Sequence, residues 1–128
     1  MGVAFAMFNF TKREVVRLAH LPGNTAREIA GDPATAAVVA WYMLRNGGDH
    51  ISMIGDDELS GFGGVWRYPV PREELATYPD RTGAVVQELI DHGVLEDRGF
   101  LWRDEHEPDR WYVRDLRNVW HDPDELPP

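Results

Sequence analysis

Residues 71–103 read PREELATYPDRTGAVVQELIDHGVLEDRGFLWR, and their punctuation predicts two helices followed by the start of a hairpin. Pro71 precedes a short helix over 72–77, the turn Tyr78-Pro79-Asp80 ends it, and Asp80 or Thr82 caps a second helix. Val85, Val86, Leu89 and Ile90 recur at helical spacing, which gives this second helix one apolar face. Gly93 stands where a helix end calls for a left-handed residue, a conformation glycine adopts without a side-chain clash. Beyond it, 100–103 and 110–114 read as two strands joined by the polar turn 104–109, which contains Pro108.

The order of elements over 71–114 resembles a winged helix-turn-helix: short helix, turn, longer helix, the phrase Asp91-His92-Gly93-Val94-Leu95, then a hairpin. The resemblance is one of pattern and points to no particular family. It implies that Val94 and Leu95 pack under the hairpin and that a helix at 36–44 supports the pair from behind. The stretch 55–64 with its flanking strands would then be an insertion. In DNA-reading members of that class the second helix enters the major groove and the hairpin touches the backbone, so both carry basic and amide side chains. Here Arg81 and Gln87 are accompanied by Glu88 and Asp91, and Arg98, Arg103 and Arg110 only partly offset Glu96, Asp97, Asp104, Glu105, Glu107 and Asp109. A winged-helix shape with this charge is better suited to binding protein than nucleic acid.

Towards the N-terminus, the apolar run 3–10 is about half the length that spans a bilayer and reads as a buried strand. Thr11 with Glu14 has the spacing of a capping box and predicts a helix over 12–20, ended by Leu21-Pro22-Gly23. Thr25 with Glu28 repeats the pattern and opens a short helix that stops near Gly31. Asp32 as cap, Pro33 at the first helical position and Asn46-Gly47-Gly48 at the end delimit the clearest helix, 34–45. Ala37, Val38, Ala40, Trp41 and Leu44 form its expected core-facing stripe. Residues 51–54 predict a short strand, 55–64 a glycine-rich acidic mobile loop, and 65–68 a further strand before Pro69-Val70-Pro71. The acidic, proline-rich stretch 121–128 reads as a frayed tail. Together these elements predict one α+β domain over 1–120, with helices packed on a short antiparallel sheet.

The chain has 128 residues, no cysteine and a formal charge of −9. Without cysteine there is no disulfide framework, thiol nucleophile or thiolate metal site, and a cytoplasmic location is the default expectation. The charge is uneven. Residues 1–54 hold five basic and four acidic side chains, leaving eight basic against eighteen acidic of the chain's 13 and 22 for the rest. Attraction to nucleic acid comes from neutralising phosphates with Lys and Arg, so the second half should repel it. The plain alternative is that the acidity serves solubility.

Catalytic patterns are sparse. Ser52 and Ser60 lack a nucleophile-elbow context, and the glycines at 61, 63 and 64 are not followed by the Lys-Ser or Lys-Thr of a phosphate loop. Asp49 and His50 with Asp56 and Asp57, and Asp104 to Asp109 around His106, are the two acid–histidine clusters, but neither has a recognised metal-ligand spacing. The sequence points to no cofactor, no metal and no catalytic residue. It points instead to partner binding through aromatic anchors in acidic surroundings: Asp56, Asp57, Glu58, Phe62 and Trp66 in one region, and Trp102, Asp104, Glu105, Glu107, Asp109 and Trp111 in the other. Trp102 and Trp111 are placed to face each other across the hairpin. The expected partner is a basic protein, which the chain would inhibit in the manner of an immunity protein or antitoxin. The alternative is a dimeric regulator reading DNA through Arg13, Arg17 and the hairpin arginines.

Overall fold

Met7, Val16 and Met53 lie on one face of a three-stranded sheet and Ala6, Phe8, Val15 and Ile54 on the other, because successive strand residues alternate between faces. This alternation divides the apolar interior of the protein into two cores. A computed structural model describes residues 3–61 and 65–121 and shows a small α+β fold. The strands are β1 (Phe5–Asn9), β2 (Glu14–Arg17) and β3 (Ile51–Gly55), in the antiparallel order β2-β1-β3. A separate ribbon pairs β4 (Leu95–Arg103) with β5 (Tyr112–Asn118). The helices are α1 (Ala26–Gly31), α2 (Pro33–Arg45), α3 (Asp56–Leu59), α4 (Arg72–Leu75) and α5 (Thr82–Asp91).

β1 is central, and Ala6, Met7, Phe8 and Asn9 are all buried, which explains its unbroken apolar run. Over one face, α2, α5 and the base of the β4–β5 ribbon close the larger core, in which Val38, Val86, Leu89, Leu95 and Leu116 meet Met7 and Val16. Over the other face, Leu75 and Tyr78 meet Phe8 and Val15, with Leu59, Trp66, Tyr68 and Val70 packed around them.

The helix expected over 12–20 is a hairpin turn and strand β2. Its helix-start pattern is overridden by Asn9, whose Oδ1 accepts from the Thr11 and Lys12 N–H groups at 3.0 and 2.9 Å. Arg13 then turns the chain at φ 57°, and the Thr11 hydroxyl accepts from His50 N–H instead of capping. Val15 and Val16, both fully buried, feed the two cores from alternate faces as β-branched strand residues do. The outer edge of β2 is occupied: Val15 N–H donates to Pro79 O and Arg81 N–H to Val15 O, at 3.0 and 2.8 Å.

The other helix boundaries follow their caps. The Thr25–Glu28 capping box opens α1, and the Asp32 side chain accepts from Ala34 and Thr35 N–H groups at the start of α2. The buried stripe of α2 is Ala34, Thr35, Val38 and Tyr42, rotated from the expected one, and it leaves Leu44 79% exposed. Asp80 accepts from Thr82 N–H at 3.0 Å to begin α5, while the Thr82 hydroxyl donates to Arg17 O at 2.9 Å and ties the helix to β2. Gly93 follows α5 at φ 73°.

Two expectations in the middle of the chain change. The start of the supposed mobile loop is the single-turn helix α3, anchored by Asp56 N–H donating to Ala4 O at 2.8 Å. Residues 65–68 form no strand. Trp66 Nε1–H folds back onto Val70 O at 2.7 Å, within a segment where Pro69 and Pro71 cannot donate to a ladder. Residues 122–128, nearly all of the expected tail, lie outside the described residues.

Candidate partner-docking hairpin

The β4–β5 ribbon departs from the rest of the fold in exposure: eight of the nine residues of β4 are exposed and only Leu95 is buried. A two-stranded ribbon has no interior of its own, so the run Phe100-Leu101-Trp102 cannot be covered by its partner strand. Phe100 is 46%, Leu101 61% and Trp102 53% exposed. Trp111, Val119 and Trp120 add exposed apolar surface at the turn and at the ribbon's exit.

Cross-strand register separates the two faces. Phe100 lies opposite Arg114, Arg103 opposite Tyr112 and Asp97 opposite Leu116, all on one side, whereas Trp102 lies opposite Val113 on the other. On the first side, Tyr112 stacks on His20 at 4.0 Å and meets Phe100 edge-on at 5.5 Å. Arg103 covers Phe100 at 4.5 Å and pairs with Asp109 at 3.2 Å. Phe100, Arg103, Asp109 and Tyr112 border a cavity of about 370 Å³ together with Asp97, Gly99 and Arg114. The Gly99 N–H holds the Asp97 carboxyl below the usual carboxylate range, with burial opposing it and the Arg114 guanidinium adding to it. The expected Trp102–Trp111 facing pair does not form. Trp111 precedes β5 and donates from Nε1 to Glu107 at 3.0 Å, with Arg110 over its ring. Irregularities on either side of Phe100 shift the register that the pairing requires.

The ribbon's two edges differ. Arg114 N–H donates to His20 O and the His20 ring nitrogen lies 2.9 Å from Tyr112 O, so the chain around His20 covers the outer edge of β5. Among the described residues, no strand pairs with the outer edge of β4. At the tip, the Asp104 side chain accepts from His106 and Glu107 N–H groups and shapes the turn, and Glu107 and Asp109 engage Trp111 and Arg103. Glu105 is exposed and engages no described residue.

The remaining sequence-selected residues lie elsewhere. Asp56 and Asp57 are exposed on α3, and Glu58 accepts from Tyr68 Oη at 2.8 Å and pairs with Arg67 at 3.1 Å. Trp66 sits beneath Arg72, 4.5 Å from its guanidinium, and packs on the core that faces away from the ribbon's base. Phe62 lies outside the described residues. The two regions therefore attach to opposite faces of the β2-β1-β3 sheet.

The acid–histidine cluster around residue 50 is also divided. β3 runs between Asp49-His50 and Asp56-Asp57, a separation of about 20 Å at roughly 3.3 Å per residue. Asp49 accepts from Asn9 Nδ2 at 2.8 Å and pairs with Lys12, and the His50 ring lies against Phe10 at 5.0 Å. Among the described residues, no three His, Asp or Glu side chains converge as a metal site.

Two features escaped the sequence. Phe100 and Leu101 belong to the exposed patch, and their signal is three consecutive apolar residues in a strand that alternation cannot hide. The other is the buried network in which Asn9 Nδ2 donates to Tyr42 Oη at 3.1 Å and Tyr42 Oη donates to Glu14 at 2.5 Å. Burial first, then the bond to Glu14, push the Tyr42 hydroxyl well above its ordinary pKa. The two partners of the hydroxyl are 33 and 28 residues away along the chain, so no local pattern announces it.

No family model, curated protein or solved structure matches the chain. No helix among the described residues is long and apolar enough to cross a membrane.

Proposed function

We propose that this chain is a binding protein that docks a basic protein partner through the β4–β5 ribbon and acts on it as an inhibitor, in the manner of an immunity protein or antitoxin. The observation that carries this reading is the exposure of Phe100, Leu101 and Trp102 on a strand whose outer edge is unpaired among the described residues. An unpaired edge offers main-chain hydrogen bonds to an added strand, and adjacent aromatic side chains supply desolvated anchors. Asp104, Glu105, Glu107 and Asp109 crowd the adjoining tip, where negative charge accelerates encounter with a basic surface.

On this reading the winged-helix-like order of α4, α5 and ribbon serves protein recognition rather than DNA reading. The exposed residues of α5 include Ala84, Gln87 and Asp91, and Gln87 donates to Asp91 at 2.9 Å. Arg81, at the start of that helix, is paired with Glu14.

Affinity capture from the native host with the tagged protein tests the proposal. One basic protein recovered in near-equal amount, released by high salt and lost from the Leu101→Ser/Trp102→Ser variant, is the expected result. Sequence-dependent retardation of DNA in a mobility-shift assay, with no such protein captured, would overturn it.

A further inference from the structure

Among the described residues, the face of the sheet away from the ribbon's base is covered by two helices of four residues each, α3 and α4, and by the irregular segments on either side of α4. Those elements bury Ala6, Phe8, Ile54 and Leu75 but, being single turns and irregular chain rather than a full layer, leave hollows beside them. Two cavities, of about 210 and 370 Å³, lie there and share Arg17 and Leu59 as walls. Their floor is apolar: Ala6 and Ile54 in the first, Phe8 and Leu75 in the second, all buried.

Two guanidinium groups border this trough. Arg17 lies opposite Ala6 in the β1–β2 register, hence on the same face, and its guanidinium stands 5.9 Å from the centre of the Phe8 ring. Arg72, from α4, lines the larger cavity beside it, lies over Trp66 and donates from Nε to Glu58 O at 3.1 Å. Eight of the chain's 13 basic side chains form ion pairs with carboxylates among the described residues, but Arg17 and Arg72 do not. In a chain with 22 acidic side chains, two arginines that line one cavity against apolar residues and pair with no carboxylate leave positive charge unanswered in one place. The acids at the margin, Asp56 and Glu73, are exposed and reach neither guanidinium.

We propose that this trough binds a small amphipathic anion, an apolar body carrying one carboxylate. The body lies over Ala6, Phe8 and Leu75, and the carboxylate accepts from Arg17 and Arg72. Guanidinium groups match a carboxylate in geometry, and low-dielectric surroundings strengthen the attraction. The two volumes together fall within the roughly 300–1,000 Å³ of ordinary small-molecule sites. The site is independent of the ribbon, which packs on the opposite face of the sheet.

Decanoate is a suitable probe, titrated calorimetrically into the full chain. Saturable binding at one site is expected, at least tenfold weaker for the neutral analogue decanol and at least tenfold weaker for Arg17→Gln/Arg72→Gln. Ala76→Trp, which fills the larger cavity from an exposed position and leaves both charges in place, should weaken it by a similar factor. Leu101→Ser/Trp102→Ser should bind as the parent protein does. On the parent protein alone, methyl resonances of Ala6, Ile54, Leu59 and Leu75 should shift during the titration. Absence of saturable binding up to millimolar decanoate, equal affinity for decanol, unchanged affinity in the trough variants, or resonance shifts confined to other parts of the chain would each overturn the proposal.

Discussion

Two of the protein's antiparallel strand pairs, β1–β2 and β4–β5, are of opposite character. In β1–β2 every residue except Phe5, Glu14 and Arg17 is buried, the turn is locked by the Asn9 side chain, and the outer edge of β2 is bonded to residues 79–81. In β4–β5 only Leu95 and Leu116 are buried, and the outer edge of β4 is unpaired among the described residues. The ribbon is the more polar pair, with seven charged residues among 16 against two among nine, yet both pairs hold apolar residues. What distinguishes them is coverage: β1 has helices on both faces, whereas among the described residues the ribbon meets the body at its base and along the His20 edge. Apolar residues in the first pair hold the fold together, and in the second they remain available to a partner.

Substitutions can break or sharpen this contrast. Phe8→Ala should show the largest effect, a loss of about 4 kcal/mol in urea-monitored unfolding, because a fully buried ring leaves a cavity between β1, β2 and α4. Asn9→Ala should cost about 3 kcal/mol in the same measurement. It removes four hydrogen bonds and leaves the Thr11 and Lys12 N–H groups without their acceptor.

Tyr42 supplies a pH-dependent version of the same comparison. Its hydroxyl has a raised pKa in the folded protein, so above about pH 10 the unfolded chain releases a proton that the folded chain retains. The unfolded state then binds fewer protons, and stability must fall as pH rises through that range, by up to about 1.4 kcal/mol per pH unit. Urea midpoints measured from pH 8 to 11 should decline more steeply for the parent protein than for Tyr42→Phe, and parallel slopes would refute the coupling.

Gly93→Ala should cost about 1 kcal/mol in equilibrium unfolding, since φ of 73° strains any residue with a Cβ. The smallest stability effect belongs to Leu101→Ser/Trp102→Ser: within about 0.5 kcal/mol of the parent, because both side chains are already largely in water. If that variant unfolds with a loss comparable to Phe8→Ala, the ribbon is part of the core and the contrast between the two pairs fails.

Several elements were legible in residues a few positions apart. The Thr25–Glu28 and Asp32-Pro33 signals mark the starts of α1 and α2, and Gly93 ends α5, because caps and left-handed turns satisfy backbone groups within one helical turn. Thr11 and Glu14 have the same capping spacing and start no helix. Asn9 takes the nearby N–H groups, Tyr42 and Arg81 take the Glu14 carboxylate, and the two valines are needed in two different cores. The exposed ribbon was half legible: Trp102, Trp111 and the tip acids were recognised from composition, but Phe100, Leu101 and the unpaired edge were not. Local sequence thus determined the starts of α1 and α2, the end of α5, the apolar central strand and the α+β class. Which face of α2 is buried, the separation of Asp56–Glu58 from the ribbon and the placing of Arg17 and Arg72 on one cavity were decided only by tertiary structure. Burial and charge pairing depend on residues tens of positions apart, and no local pattern contains that distance.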